Sequence, residues 1–195
     1  DCGEVLLLEE GKQLLMISDG MGVGQKAAMQ SWTALSLVSR FLEAGFSRDT
    51  AIDTVNAALA LRGREESFVT LDLCLLDLYT GEAEFIKTGG APSFIKRGNS
   101  VKMIKASSLP VGMLTKVEKE VISDRIFPGD MIIMASDGLL DAENQNDAEW
   151  LCKFLEQINA STPQEVAEFL LAKVISMTGG RLKDDITVLV AQMAA

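Results

Sequence analysis

From Phe68 onward the apolar residues of this chain recur with a period of two. In FVTLDLCLLDL (68–78), Val69, Leu71, Leu73 and Leu75 fall on one side. That is the spacing of a β-strand with one face against a core. Tyr79-Thr80-Gly81 turns the chain into EAEFIKT (82–88). Further strands are expected at 93–97, 100–105, 117–125 and 131–136, with Gly98-Asn99 and Pro128-Gly129-Asp130 as turns between them. Strands joined by tight turns pair antiparallel, because a parallel connection needs a crossover of about a dozen residues or more.

The flanks add helices. EVLLLE (4–9) and QLLMIS (13–18) read as strands around Glu10-Gly11, and the segment Asp19–Gly24 is too rich in glycine for either regular structure. Residues 25–44 read as a helix with Gly45 just past its end. Ser47 caps a second helix over 48–62, stopped by Gly63, with Ile52, Val55 and Leu59 on one face. A helix at 147–159 turns Trp150, Leu151, Phe154, Leu155 and Ile158 inward. Thr162, Pro163 and Glu165 spell a capping box with proline in the first helical position, opening a helix that ends near Gly179-Gly180. ITVLVAQ (186–192) is the last strand. The order of elements predicts an α+β layered domain, with antiparallel sheets inside and helices packed outside. The length of 195 residues fits one domain over 1–195. In the first helix Met29, Trp32, Leu35, Val38, Phe41 and their apolar neighbours cover more than one face. Burial on two sides is therefore expected, either within the domain or under a regulatory segment or second subunit.

Composition excludes several chemistries. There are no histidines, so Ser-His-Asp triads, Cys-His pairs and HExxH zinc sites are impossible. The three cysteines, Cys2, Cys74 and Cys152, are far apart, which argues against a disulfide framework or a four-cysteine zinc site and fits a reducing cytosol. A net charge of −10 repels phosphate backbones and disfavours nucleic-acid binding. No run of eighteen apolar residues is present, so the chain as given is expected to be soluble and cytoplasmic. It starts at Asp1 without a methionine, which reads as an N-terminally truncated piece.

The carboxylates carry the chemistry. Asp19 ends the apolar strand LLMIS, Asp137 ends MIIMAS, and each is followed by glycine; Asp184 and Asp185 precede the last strand. If those strands are neighbours, their carboxylates converge and repel one another. Hard divalent cations relieve that repulsion, because Mg²⁺ and Mn²⁺ favour oxygen ligands. Gly20 leaves its carbonyl open to a metal. Asp-Gly is equally a common turn, so spacing alone leaves turn former and metal ligand both open. Other phosphate motifs fail. GMGVG lacks the third glycine of a dinucleotide fingerprint, and Lys26 follows Gln25 rather than glycine, unlike a Walker A lysine.

The segments ISDGMGVGQKA (17–27), FVTLDLCLLDLYTGEAEFIKTGGAPSFIKRG (68–98), SLPVGML (108–114), PGDMIIMASDGLLDA (128–142) and LKDDITVLV (182–190) together resemble the metal-dependent protein phosphatases of the 2C type (PPM), in their bacterial sigma-regulation branch. The resemblance covers nearly the whole chain. It implies two packed antiparallel sheets flanked by helix pairs, an α-β-β-α sandwich. It implies hydrolysis of phosphoserine or phosphothreonine by water activated on two Mn²⁺ or Mg²⁺ ions. By position, Asp19 matches the bridging ligand, Gly20 a carbonyl ligand, Asp137 and Asp184 the other metal-site aspartates, and Asp1 a further ligand. Asp185 matches a supporting position. Lys26, Arg181 and Lys183 are candidate phosphate anchors, and Asp141 is expected to cap the helix that follows it. The implied substrate is a phosphorylated anti-anti-sigma factor, in control of a sporulation sigma factor, and the implied full-length protein is membrane-tethered. The rival reading is a non-catalytic module that keeps the fold for partner binding; loss of the metal aspartates would mark it, and they are present.

Overall fold

The computed structural model describes residues 1–22, 24–61, 68–142 and 148–194. These residues form two compact units, one of Asp1–Gly90 with Ala106–Asp124 and the other of Ala91–Lys105 with Arg125–Ala195. Gly63, the expected stop of the second helix, lies outside the described residues. No helix among the described residues is long and apolar enough to cross a membrane.

In the first unit β1 (Cys2–Leu8), β2 (Lys12–Ser18), β3 (Leu71–Asp77) and β4 (Glu82–Thr88) pair antiparallel in chain order, with β7 (Glu120–Arg125) beside β4. Between β2 and β3 come α1 (Gln25–Glu43) and α2 (Arg48–Ala60). The helices cover one face of the sheet. Leu14, Met16, Leu71, Leu73 and Ile86 meet Ala34, Leu35, Val38, Ile52 and Val55 in one buried cluster. Ser39 on α1 donates to Glu4 on β1 at 2.8 Å, and Ser47 caps α2 by accepting the Thr50 N–H at 3.2 Å. The cap holds as expected because a serine oxygen satisfies a first-turn N–H that has no partner within the helix.

In the second unit β5 (Ser93–Arg97), β6 (Ser100–Ile104), β8 (Met131–Ala135) and β9 (Val188–Gln192) form an antiparallel sheet in the order β6-β5-β8-β9. Phe94, Met131, Ile133 and Ala135 pack against Leu151 and Leu155 of α3 (Glu149–Gln157) and Val166, Leu170 and Val174 of α4 (Pro163–Thr178). Lys96 reaches from β5 to donate to the Leu155 carbonyl at 2.6 Å, in the last turn of α3. There its charge faces the negative end of the helix, while burial pushes its pKa below the usual lysine value. The expected composition, two antiparallel sheets and four α-helices, is therefore observed among the described residues.

Three local expectations are corrected. The strand expected over 68–78 begins at Leu71, because Val69 instead bridges Gly20 on one side and Val111 on the other. Asp141 does not cap α3. It lies inside a 3-10 turn over Asp137–Ala142, and α3 starts after Ala148 with no side-chain cap. Of the two alternatives for the apolar breadth of α1, burial on two sides within its own unit is not seen. Ala27, Gln30, Ser31, Ala34, Leu35, Val38 and Ser39 form its inner face, while Met29 and Trp32 are each 63% exposed.

The capping box of α4 is complete, with Thr162 accepting the Glu165 N–H at 3.2 Å and Glu165 accepting the Thr162 N–H at 3.2 Å. Thr162→Ala is expected to cost about 1 kcal/mol, lowering Tm by about 2–4 °C in a chain of this size. An unchanged calorimetric Tm would contradict that assignment.

Candidate active site

Each unit holds its candidate carboxylates at one end of its sheet. In the first unit β2 runs through four buried apolar residues, Leu14 to Ile17, before the buried Ser18 and the half-buried Asp19. Beyond Ser18 the pairing with the neighbouring segment goes on through side-chain and backbone hydrogen bonds together, with Gly20 bridging Val69 antiparallel. Ser18 Oγ donates to the Thr70 carbonyl at 2.7 Å, the Asp19 N–H donates to Thr70 Oγ1 at 2.9 Å, and the Thr70 N–H donates to the Asp19 carbonyl at 2.8 Å. The Met21 N–H then donates to the Phe68 carbonyl at 3.1 Å. Asp19 is thus fixed on both sides of its Cα.

Gly20 is required by close packing. A Cβ there would stand 2.3 Å from the Ala27 carbonyl oxygen and 2.8 Å from Ser31 Oγ, in the first turns of α1. Gly22 and Gly24 have open space around them but φ of 94° and 85°, the left-handed region that favours glycine. The glycine-rich segment therefore turns the chain sharply from Asp19 into α1.

β1 brings a second carboxylate to this edge. Cys2 pairs with Ser18, so one further step of the register sets Asp1 opposite Asp19. Like charges directly opposite on neighbouring strands are unfavourable. Asp1 Oδ2 is buried and has no hydrogen-bond partner among the described residues. A buried carboxylate oxygen in that condition, on a register that sets a second aspartate opposite it, is the kind of hard-oxygen donor that fits a Mg²⁺ or Mn²⁺ ion.

The second unit repeats the device. β8 is buried along its whole length, Ser136 after it is buried, and Asp137 is exposed. The Ser136 N–H donates to the Thr187 carbonyl at 3.0 Å, and Ser136 Oγ accepts the Thr187 N–H at 3.0 Å. A Cβ on Gly138 would lie 2.1 Å from the Asp185 carbonyl oxygen, so only glycine lets the turn after Asp137 rest on the 184–185 backbone. Asp184 Oδ1 accepts the Asp185 N–H at 2.8 Å, and both residues are exposed. Asp137, Asp184 and Asp185 thus share one end of this sheet. Among the described residues, no three carboxylate or thiol side chains stand close enough together to hold a metal ion by themselves.

The remaining expectations resolve as follows. Lys26, Arg181 and Lys183 are all exposed. In Thr88-Gly89-Gly90, Thr88 ends β4 and Gly89 bends the chain after it. Thr88 Oγ1 accepts the Leu71 N–H at 3.1 Å, and a Cβ on Gly89 would press on Pro110 at 2.7 Å. Val111 pairs with Val69 by two backbone hydrogen bonds of 3.0 and 2.9 Å, which gives the 110–112 segment a structural part. Sequence reasoning missed Ser18, Thr70, Ser136 and Thr187, the residues that hold the aspartate-bearing turns. One signal was available, because the tripeptide Ser-Asp-Gly occurs at 18–20 and again at 136–138, both times after an apolar strand.

Comparison with known proteins shows the family. The sequence profile of the family Stage II sporulation protein E (SpoIIE) matches residues 9–194. The stage II sporulation proteins E of Bacillus subtilis (strain 168) and Priestia megaterium are 36% and 37% identical to the chain over 195 residues, 99% of its length. The chain spans only 24% and 33% of those two relatives. A solved structure of the PP2C phosphatase domain and a fragment of the regulatory domain of the cell fate determinant SpoIIE from Bacillus subtilis superposes with a TM-score of 0.91. It is 35% identical, and the match covers 99% of this chain and 56% of that one. With its fold shared, its length matched from residue 9 to 194 and its strand-end aspartates held in place, the chain belongs to the stage II sporulation protein E family.

Proposed function

We propose that residues 1–195 act as one metal-dependent phosphoprotein phosphatase domain, hydrolysing a phosphoserine of an anti-anti-sigma factor in control of a sporulation sigma factor. The observation that carries this reading is the doubled Ser-Asp-Gly turn. Twice, an apolar strand ends in a buried serine bonded to its neighbour, an aspartate, and a glycine that nothing larger could replace. Such construction fixes a carboxylate more tightly than a turn alone requires. The solved relative described as a PP2C phosphatase domain supports the reaction class.

In this reading Asp1, Asp19 and the Gly20 carbonyl of the first unit, and Asp137 and Asp184 of the second, are the residues that would hold Mn²⁺ or Mg²⁺, two ions in all. When bound, the ions supply Lewis acidity, making water nucleophilic near neutral pH and offsetting charge on the phosphoryl oxygens. The chain's own residues do the holding. Thr70 sets the Asp19 backbone from both sides, so its carboxylate meets a cation without reordering. Ser136 and Thr187 do the same for the turn that carries Asp137. Asp185, its N–H spent on Asp184, orients that carboxylate. The domain works in the cytoplasm, in a protein tethered to the membrane through other segments.

Regulation enters through α1. Met29 and Trp32 lie three residues apart on its exposed face, and the same helix packs its first turns on Gly20. A regulatory segment or a second copy of the domain docks on that face. Phe41, by contrast, stacks edge-to-face on Phe46 at 5.5 Å and serves packing.

Two outcomes test these statements. The chain is expected to release phosphate from a phosphoserine-containing protein with Mn²⁺ and to stop on EDTA addition. Asp19→Ala and Asp184→Ala are each expected to lower the rate by about 100-fold or more, and either variant at full activity would defeat the ligand assignment. Trp32→Glu is expected to weaken self-association or the docking of a regulatory segment by about 10-fold or more, read by light scattering and by the phosphatase rate together. No change in either would remove α1 as a docking surface.

A further inference from the structure

A buried ion pair sits inside the first unit. Lys87 on β4 and Asp72 on β3 are 0% and 2% exposed, and Nζ stands 2.5 Å from Oδ2. They are direct partners in the β3–β4 register. Replacing such a pair by well-packed apolar side chains is commonly neutral or stabilising, because desolvating two charges offsets their attraction. Stability alone therefore does not account for it.

Its position does. Asp72 pairs with Ile17 across β2, and two residues earlier Thr70 lies against Asp19. Side chains alternate along a strand, so Asp72, Thr70, Ile17 and Asp19 share one face. The helix-covered face carries Met16, Leu71 and Leu73 instead. On the Asp19 face, the residues of the pair are flanked by segments that lead to the Asp19 turn. The Lys87 carbonyl accepts Ser108 Oγ at 2.6 Å. A Cβ on Gly90 would lie 3.1 Å from Asp72 Cβ, and one on Gly89 would lie 2.7 Å from Pro110. Next to Pro110, Val111 pairs with Val69, and Val69 bridges Gly20. Burial, followed by the Asp72 charge, pushes the neighbouring Cys74 thiol far above its usual range, with Lys87 acting in the opposite sense.

Apolar contacts do not distinguish one pairing of these strands from another shifted by two residues, since the same face stays inward. A buried charge pair does, because a shift leaves each charge buried without its counterpart. We propose that the Lys87–Asp72 pair is the register lock of β3 against β4 and that, through Thr70, it positions Asp19 for its metal ion. This rests on the reading of Asp19 as a metal ligand. Lys87 and Asp72 are positioning residues and touch no substrate.

The test is the double variant Asp72→Leu/Lys87→Met in the whole chain, with Lys87→Arg as the conservative control. Amide hydrogen exchange in the metal-free protein is read at Asp19, Met21 and Thr70. The double variant is expected to melt within a few degrees of the parent while those amides exchange at least 10-fold faster, and Lys87→Arg is expected to leave them unchanged. Calorimetric Mn²⁺ affinity is expected to fall at least 10-fold in the double variant. Unchanged exchange at the three amides would overturn the proposal. Failure of the double variant to fold would overturn it too, since the pair would then hold the fold itself. If the parent chain binds no Mn²⁺, the phosphatase reading fails, while the exchange result still decides whether the pair positions Asp19.

Discussion

Everything in the site depends on how an apolar strand is made to stop at a carboxylate. A strand such as Leu14–Ile17 is driven inward by burial, at about 25 cal/mol per Å² of apolar surface. An aspartate at its end resists the same burial. The chain resolves the conflict with side-chain hydrogen bonds at the boundary. Ser18 and Thr70 complete the backbone pairing just where the strand ends, so that Asp19 emerges fixed and half-exposed. Ser136 and Thr187 repeat the solution for Asp137.

Close packing of glycine converts these boundaries into a scaffold. Gly20 lies against the carbonyl of Ala27, so the start of α1 and the Asp19 turn cannot move independently. Gly138 lies against the carbonyl of Asp185, which couples the Asp137 turn to the segment before β9. The candidate carboxylates Asp19 and Asp137 therefore sit at strand ends in packed turns rather than on free loops, the placement that a precise ligand set needs.

Much of this was legible in the sequence because its signals are local. The period-two run from Phe68 gave away the strands, Ser47 and Thr162 marked two helix starts, and the Asp-Gly pairs after apolar runs marked the carboxylates. The rest depends on partners distant in the chain. Whether Met29 and Trp32 face a core or solvent is decided by the sheet under α1, which periodicity along α1 does not describe. Asp141 had the look of a cap, yet the chain spends 137–142 on a 3-10 turn before α3 begins. Val69 was lost from its strand to a bridge between Gly20 and Val111, 49 and 42 positions away in opposite directions along the chain. Asp72 and Lys87 look like stray charges in two apolar strands, and only the register reveals them as partners.

The central claim is that strand-end carboxylates, fixed beforehand by their neighbours, hold divalent cations. Anomalous scattering from crystals of this chain grown with Mn²⁺ tests it most directly. The account predicts manganese peaks about 2.0–2.3 Å from Asp19 carboxylate oxygen, the distance range of hard cations on carboxylates. Crystals that hold manganese elsewhere and leave Asp19 without an ion would contradict it.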